Sequence, residues 1–391
     1  MQTKTNREQL YEPYNWYRQM RETQPVYLDS DWGAVHVFRY TDVARVLSDY
    51  ATFSSDENRY VDAEHRDNSP ISSSILRMDP PRHRQLRHLV SQAFTPRMVA
   101  QMETRIQEIT NELLNQVEAK GEMDVVRDLA YPLPVTVIAE LLGIPTELRE
   151  DFKRWSDALV SGDENTTEEE RQALFQEIGG MFNYFTQVLE ERRAHPQSDL
   201  VSALLAAEVD GERLNDMELL GFCGLLLVAG NETTTNLIGN VVLCLDENPG
   251  LVERLRADRT LIPGTIEEAL RYYSPIKTMT RIATTETTIG EQRIEAGQFI
   301  IPWISSADRD EAEFPDADRF DIEREPNRHL GFGRGIHFCL GAPLARLEAK
   351  TALNIMLDRM PGAWQVSDVP LEPIKSFVVF GTHNLPLTWG A

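Results

Sequence analysis

His329 to Lys350 reads H-L-G-F-G-R-G-I-H-F-C-L-G-A-P-L-A-R-L-E-A-K, with one cysteine, Cys339, at its centre. Gly331, Gly333 and Gly335 precede it, and glycine lets a backbone turn tightly and lie against something flat. Gly341, Ala342 and Pro343 follow, then strong helix formers from Leu344 to Lys350. The pattern predicts a loop feeding a helix N-terminus. Unpaired N–H groups there favour negative charge and stabilise a thiolate, the form of cysteine that ligates metals. An inert buried cysteine accounts for Cys223 and Cys244, which lie in apolar helical surroundings. It does not call for the glycine loop, Phe332 or His337 around Cys339. A structural zinc site needs a second cysteine nearby, which this stretch lacks.

The stretch resembles the haem-binding loop of the cytochrome P-450 family on Phe332, Gly333, Gly335, His337, Cys339 and Gly341. The resemblance implies haem b held by the Cys339 thiolate, with Phe332 packed near the sulfur. It also implies a mainly α fold with smaller β-sheets (α+β), the haem lying between a long central helix and the helix after the cysteine. His83 and Arg87 are four apart and share a helix face. Alone they read as a solvated basic face; the resemblance implies that they grip a haem propionate, together with Arg281 and His337.

A second informative stretch is Asn215 to Asp246, a largely apolar helix capped by Asn215 with Glu218 three residues on. Its middle reads Ala229-Gly230-Asn231-Glu232-Thr233-Thr234-Thr235, where glycine and threonine are poor helix formers. These residues fit either a tolerated kink, with threonines bonded back to carbonyls, or a local opening of the helix. They resemble the family's oxygen-activation motif. That implies Ala229 and Thr233 facing the haem, Thr233 orienting dioxygen and a water, and Glu232 relaying protons. Glu268 and Arg271 are three apart and can pair; the resemblance implies a trio completed by Arg319 that holds the cysteine loop against the core.

The chain has 391 residues, 41% of them hydrophobic, and a formal net charge of −23. That balance disfavours nucleic acid and anionic membranes as partners. Three widely spaced cysteines fit a reducing cytoplasm. Met1 to Leu10 is polar, so no signal peptide is expected. The longest apolar run, Leu219 to Gly230, is too short for a membrane anchor. With no internal repeat or linker, a single haem domain over residues 1–391 is expected. Arg82, Arg84 and His88 form a basic cluster that suits an acidic electron-transfer partner.

Amphipathic helices are expected over 98–119, 126–142 and 147–160, and a longer one ends near residue 195. The acidic segment Ser161 to Glu168 reads as solvated surface. Strands are expected at 25–28, 35–38, within 276–287, and at 291–294 and 298–304. Residues 366–387 read as a β-rich tail, and Phe377 to Phe380 as an apolar closure of a pocket. Substrate contacts are expected at Ile75, Leu76, Leu225, Ala229, Ile276, Phe377 and Val378. The resemblance implies a monooxygenase that puts one oxygen atom of O2 into an apolar C–H bond. Its electrons would come from a separate ferredoxin- or flavodoxin-type donor, because the chain ends just after the haem part. A peroxide-driven peroxygenase and a non-catalytic haem sensor are the alternatives; the Glu232-Thr233 pair argues against both.

Overall fold

The computed structural model describes residues 6–60, 70, 72–160, 167–367 and 369–390. The chain alternates between two compact units, one formed by 1–60, 103–131 and 233–391, the other by 61–102 and 132–232. The expected mainly α architecture with small sheets is what the elements make.

The first unit holds the sheets. Val26–Asp29 and Ala34–Val37 pair antiparallel around a turn in which Asp29 Oδ1 accepts the N–H of Asp31 (2.8 Å) and Trp32 (3.3 Å). Ala34–Val37, which also pairs in parallel with Phe299–Pro302, is buried throughout because Val35 and Val37 pack into one core cluster and Ala34 into another; a strand covered on both faces loses polar–apolar alternation. Arg281–Ala283 and Phe53–Ser54 complete five strands. Val35, Val37, Phe53, Ile300 and Phe314 form the core beside them. A three-stranded antiparallel sheet joins Glu122–Asp124, Pro386–Trp389 and Trp364–Val366. The β character expected at 276–287 shrinks to Arg281–Ala283 and the start of Thr287–Ile289. Before it, Ile276 and Thr278 make only isolated bridges, to Val379 and Trp303.

The trio predicted around Glu268 contains a different third member. Glu268 and Arg271 are fully buried and joined by two hydrogen bonds of 2.8 and 2.7 Å. The second arginine on Glu268 is Arg324, with Nε 3.1 and 3.2 Å from the two carboxylate oxygens. Arg319 is exposed, and what it offers the cluster is its carbonyl, which accepts from Arg271 Nη2 (3.0 Å) and Arg324 Nη2 (3.1 Å). The cause is the path of the loop: Asp321 N–H bonds Glu268 Oε1 at 2.9 Å, which brings the following turn, not Arg319, over the carboxylate.

The other unit is helical in its described parts, with Arg82–Ala93, Pro132–Leu141, Arg149–Val160 and Glu168–Ala194 as its main helices. Phe152, Met181 and Phe185 are fully buried. Glu168–Ala194 starts with a capping box between Thr167 and Glu170. The expected helix at 126–142 divides at Tyr131 into a wide turn, Val126–Ala130, and a helix from Pro132, since proline lacks the N–H that a continuing helix needs. The expected helix at 98–119 likewise divides into Pro96–Gln101 and Glu103–Leu114 plus a short turn. Most of the acidic segment, 161–166, lies outside the described residues.

Asp216–Glu247 is one helix of 32 residues, about 48 Å long. Its capping box is formed as read: Glu218 N–H to Asn215 Oδ1 is 3.0 Å and Asn215 N–H to Glu218 Oε2 is 2.9 Å. The helix is continuous through Gly230–Thr235. Burial of the segment from Asn236 to Leu245 outweighs weak local propensity. Among the described residues no helix is long and apolar enough to cross a membrane.

Candidate active site

The cysteine loop is built by backbone geometry. Gly333 and Gly335 adopt positive φ, +71° and +72°, a region glycine enters without strain. A side chain at Gly331 would come within 2.9 Å of the Leu270 carbonyl, and one at Gly335 within 2.9 Å of Ser48. The turn closes through Gly333 N–H to Leu330 O (2.7 Å) and Cys339 N–H to Phe332 O (2.8 Å). Gly341 lies at φ −78° as the residue before Ala342–Arg359, and a Cβ there would sit 3.9 Å from Cys339 Sγ. Cys339 is half-buried, whereas Cys223 and Cys244 are fully buried. Burial pushes the Cys223 thiol up to about 12 and raises Cys244 strongly too, so these two stay inert thiols at neutral pH.

A network that the sequence reading missed underlies this loop. Arg346, on the helix Ala342–Arg359 that follows Cys339, stacks over Phe332, its guanidinium 4.5 Å from the ring centroid. It forks onto Glu267 at 2.6 and 2.7 Å, and His329 Nε2 lies 3.1 Å from the same carboxylate. Gly331 N–H donates to His329 Nδ1, which leaves Nε2 as the protonated nitrogen facing Glu267. Burial alone would raise Glu267, but the bonds from Arg346 and His329 hold it down to about 2. The Glu267 bonds raise Arg346, and the nearby Cys339 adds to this. The sequence signal was the doubled acid Glu267-Glu268, which presents one carboxylate to Arg271 and the next to Arg346.

In the same unit Arg281 is buried on its strand and donates to the Thr280 carbonyl at 2.7 Å. His337 ends the short turn Gly335–His337. Ile276 is half-buried; the next residue, Lys277, donates its N–H to Val378 O at 2.7 Å. Val378 is exposed. Phe377 turns towards Trp303 and Trp32, with centroids 4.9 and 5.9 Å away. Thr233 is half-buried.

In the other unit His83 is buried on Arg82–Ala93 and Arg87 is half-buried one turn on. Burial, reinforced by the positive charge of Arg87, pushes His83 down to about 4. His83 is therefore a neutral hydrogen-bonding group, and of these two side chains only Arg87 brings charge. Arg82 is not a free cation: Nε and Nη2 clamp Glu218 at 2.7 and 2.6 Å. Arg84 and His88 are exposed. Ile75 is buried and Leu76 exposed in a short turn; Leu225 is half-buried. Ala229 is exposed in the middle of the long helix. A side chain at Gly230 would meet Ile138 Cδ1 at 2.8 Å, and Asn231 Nδ2 bonds Ser156 Oγ at 2.7 Å. Burial raises the Glu232 carboxyl above its ordinary value.

Among the described residues no three His, Cys, Asp or Glu side chains gather as a metal-binding group. A lone half-buried thiol ahead of a helix suits a metal whose remaining ligands come from its own macrocycle, the arrangement of a haem-thiolate protein. Buried Arg281 and half-buried Arg87 are donors of the kind that propionates need. The residues present therefore fit the group.

The cytochrome P-450 family model matches residues 2–389. The chain is 43% identical to the erythromycin C-12 hydroxylase of Saccharopolyspora erythraea over 385 residues, covering 96% of this chain and 94% of that one. It is 43% identical to the cyclomarin C epoxidase CymV of Salinispora arenicola, covering 96% and 95%. Substrate-free CYP109E1 of Bacillus megaterium superposes with a TM-score of 0.92 at 42% identity, covering 97% of this chain and 99% of that one; the same protein has been solved with corticosterone. The chain belongs to the cytochrome P-450 family. Its fold is the family's, its cofactor is haem b, and it is a monooxygenase.

Proposed function

We propose that this monooxygenase hydroxylates an apolar C–H bond of a bulky polycyclic or macrocyclic substrate. Cys339 is the haem ligand, and electrons come from a separate ferredoxin- or flavodoxin-type protein. The observation that carries the reading is the half-buried Cys339 in a glycine-built turn, its N–H bonded to Phe332 O at 2.8 Å. Haem held by thiolate supplies the electron density that favours O–O cleavage. Glu232, raised by burial, holds a proton at its carboxyl to higher pH than an exposed glutamate and passes it to water. Thr233, next to it on the same helix, orients that proton with its hydroxyl. Arg87 and Arg281 neutralise propionate charge, while His83 and His337 add hydrogen bonds. Phe332, stacked under Arg346, limits solvation of the sulfur.

Apolar side chains at Ile75, Leu225, Ala229, Ile276 and Val378 are left to receive the substrate. The erythromycin hydroxylase and the corticosterone complex among the relatives support a large apolar ligand. The chain passes between its two units in five alternating segments, which supports one haem domain over residues 1–391 rather than two separable ones. The test is Cys339→Ser in the haem-supplemented protein. The red-shifted Soret band of the reduced carbon monoxide complex is expected to vanish; a surviving band removes Cys339 as ligand.

A further inference from the structure

The haem reading leaves a cleft of about 520 Å³ in the first unit without a role. Its size is that of a small-molecule site. Trp16, Tyr17, Trp32, Trp303 and Phe377 line it. Trp303 is buried and packs edge-on against Trp16 (5.3 Å) and Phe377 (4.9 Å). Trp32, by contrast, is 63% exposed. Large aromatic surface held open in a concave setting is informative, because an indole gains most from water's removal when a flat apolar partner covers it.

Two side chains of the cleft, Lys277 and His36, bring donors, and Asp29 brings a carboxylate. Lys277 is half-buried and its ammonium bonds the Ser376 carbonyl; among the described residues it has no ion-pair partner. Burial without a counter-charge lowers it to about 8, and a buried cation gains from an anion placed beside it. His36 is 95% buried, and Trp303 Nε1 donates to its Nδ1 at 3.0 Å. That bond leaves the proton on Nε2, which finds no hydrogen-bond acceptor among the described residues; Asp29 Oδ2 is 3.9 Å away. Asp29 itself is engaged through Oδ1 with the turn that carries Trp32.

We propose that this cleft is a second binding site, separate from the haem pocket, for a flat aromatic carboxylate. The rings lie against Trp16, Trp32 and Phe377, and the carboxylate meets the Lys277 ammonium. The test uses the haem-loaded full chain, titrated in a calorimeter with sodium 2-naphthoate and, separately, with uncharged 2-naphthamide. Naphthoate is expected to bind saturably, about tenfold tighter than the amide, without moving the Soret band. Lys277→Met is expected to lose that roughly tenfold preference while binding the amide as before, and Lys277→Arg to restore it. Trp32→Ala is expected to weaken both ligands. Each variant is first checked for the wild-type Soret band of the reduced carbon monoxide complex, which reports folding. Three results overturn the proposal: no saturable heat, a Lys277→Met variant that binds naphthoate as well as wild type, or a Soret shift with the calorimetric midpoint, which places the ligand at the haem.

Discussion

Replacing Arg324 by alanine separates the observed buried cluster from the one the resemblance implied. Arg324 reaches both oxygens of Glu268 at 3.1 and 3.2 Å and the carbonyls of Pro315, Asp316 and Arg319. Glu268 keeps Arg271, the Asp321 N–H and Asn327 Nδ2 when Arg324 is cut. The cost therefore stays below the roughly 3–5 kcal/mol of a buried pair broken outright. Charge-assisted bonds contribute about 1.5–3 kcal/mol, and water can replace the donor at the exposed carbonyls. A loss of about 2 kcal/mol follows. At roughly 2.1 cal/mol/K per residue, 391 residues give an unfolding entropy near 0.8 kcal/mol/K, so Tm falls by about 2–3 °C. Arg319→Ala keeps the backbone carbonyl that Arg271 uses and removes an exposed side chain; it is expected to cost under about 0.5 kcal/mol and well under 1 °C. Differential scanning calorimetry of the haem-loaded variants reads both. A drop for Arg319→Ala equal to that for Arg324→Ala would refute the reasoning.

Thr233→Ala is expected to bind substrate normally but to yield roughly tenfold less product per electron, the balance appearing as peroxide; unchanged coupling counts against Thr233 as the proton-orienting group. Arg84→Glu is expected to slow reduction by an acidic donor several-fold at low salt and to converge with wild type at high salt, measured by stopped flow; a salt-independent rate removes Arg84 from the docking surface. Glu267 is held near 2 against an ordinary 4.5, so its stabilisation is fully present above about pH 4.5 and is lost as pH falls towards 2. Wild type is expected to lose about 3 kcal/mol across that window from this group, and Glu267→Gln to flatten the limb in urea melts; parallel limbs in the two proteins exclude the linkage.

The parts legible in the sequence were those whose chemistry is local. The turn before Cys339 needs glycine at positions that lie within five residues of one another in the chain, and the Asn215–Glu218 cap spans four residues. The second arginine was not legible, because whether Arg319 or Arg324 reaches Glu268 depends on how a loop of several residues bends after Phe320. The state of His83 was hidden for a similar reason: its spacing from Arg87 shows a shared face, but burial decides that it is neutral. Phe377 to Phe380 read as one apolar wall. The chain bends at Phe377 and Val378, where Ser376 Oγ accepts the N–H groups of Val378 and Val379, and the bend sends Phe377 to Trp303 while Val379 is buried and bridges to Ile276.

The same distinction explains the middle of the long helix. Weak helix formers from Gly230 to Thr235 fitted a tolerated kink or a local opening, and the helix runs on through them. Gly230 is there because Ile138 occupies the space a methyl would fill, and Asn231 is tied to Ser156. Those two residues are therefore accounted for by packing on one side. Ala229 is exposed, and Glu232 and Thr233 are half-buried. Low propensity here is the trace of several separate demands on one turn, close packing at Gly230, a buried bond at Asn231 and an accessible acid and alcohol at the next two positions. Substituting Gly230 should then damage folding through Ile138, whereas substituting Glu232 should leave folding intact and change only proton delivery.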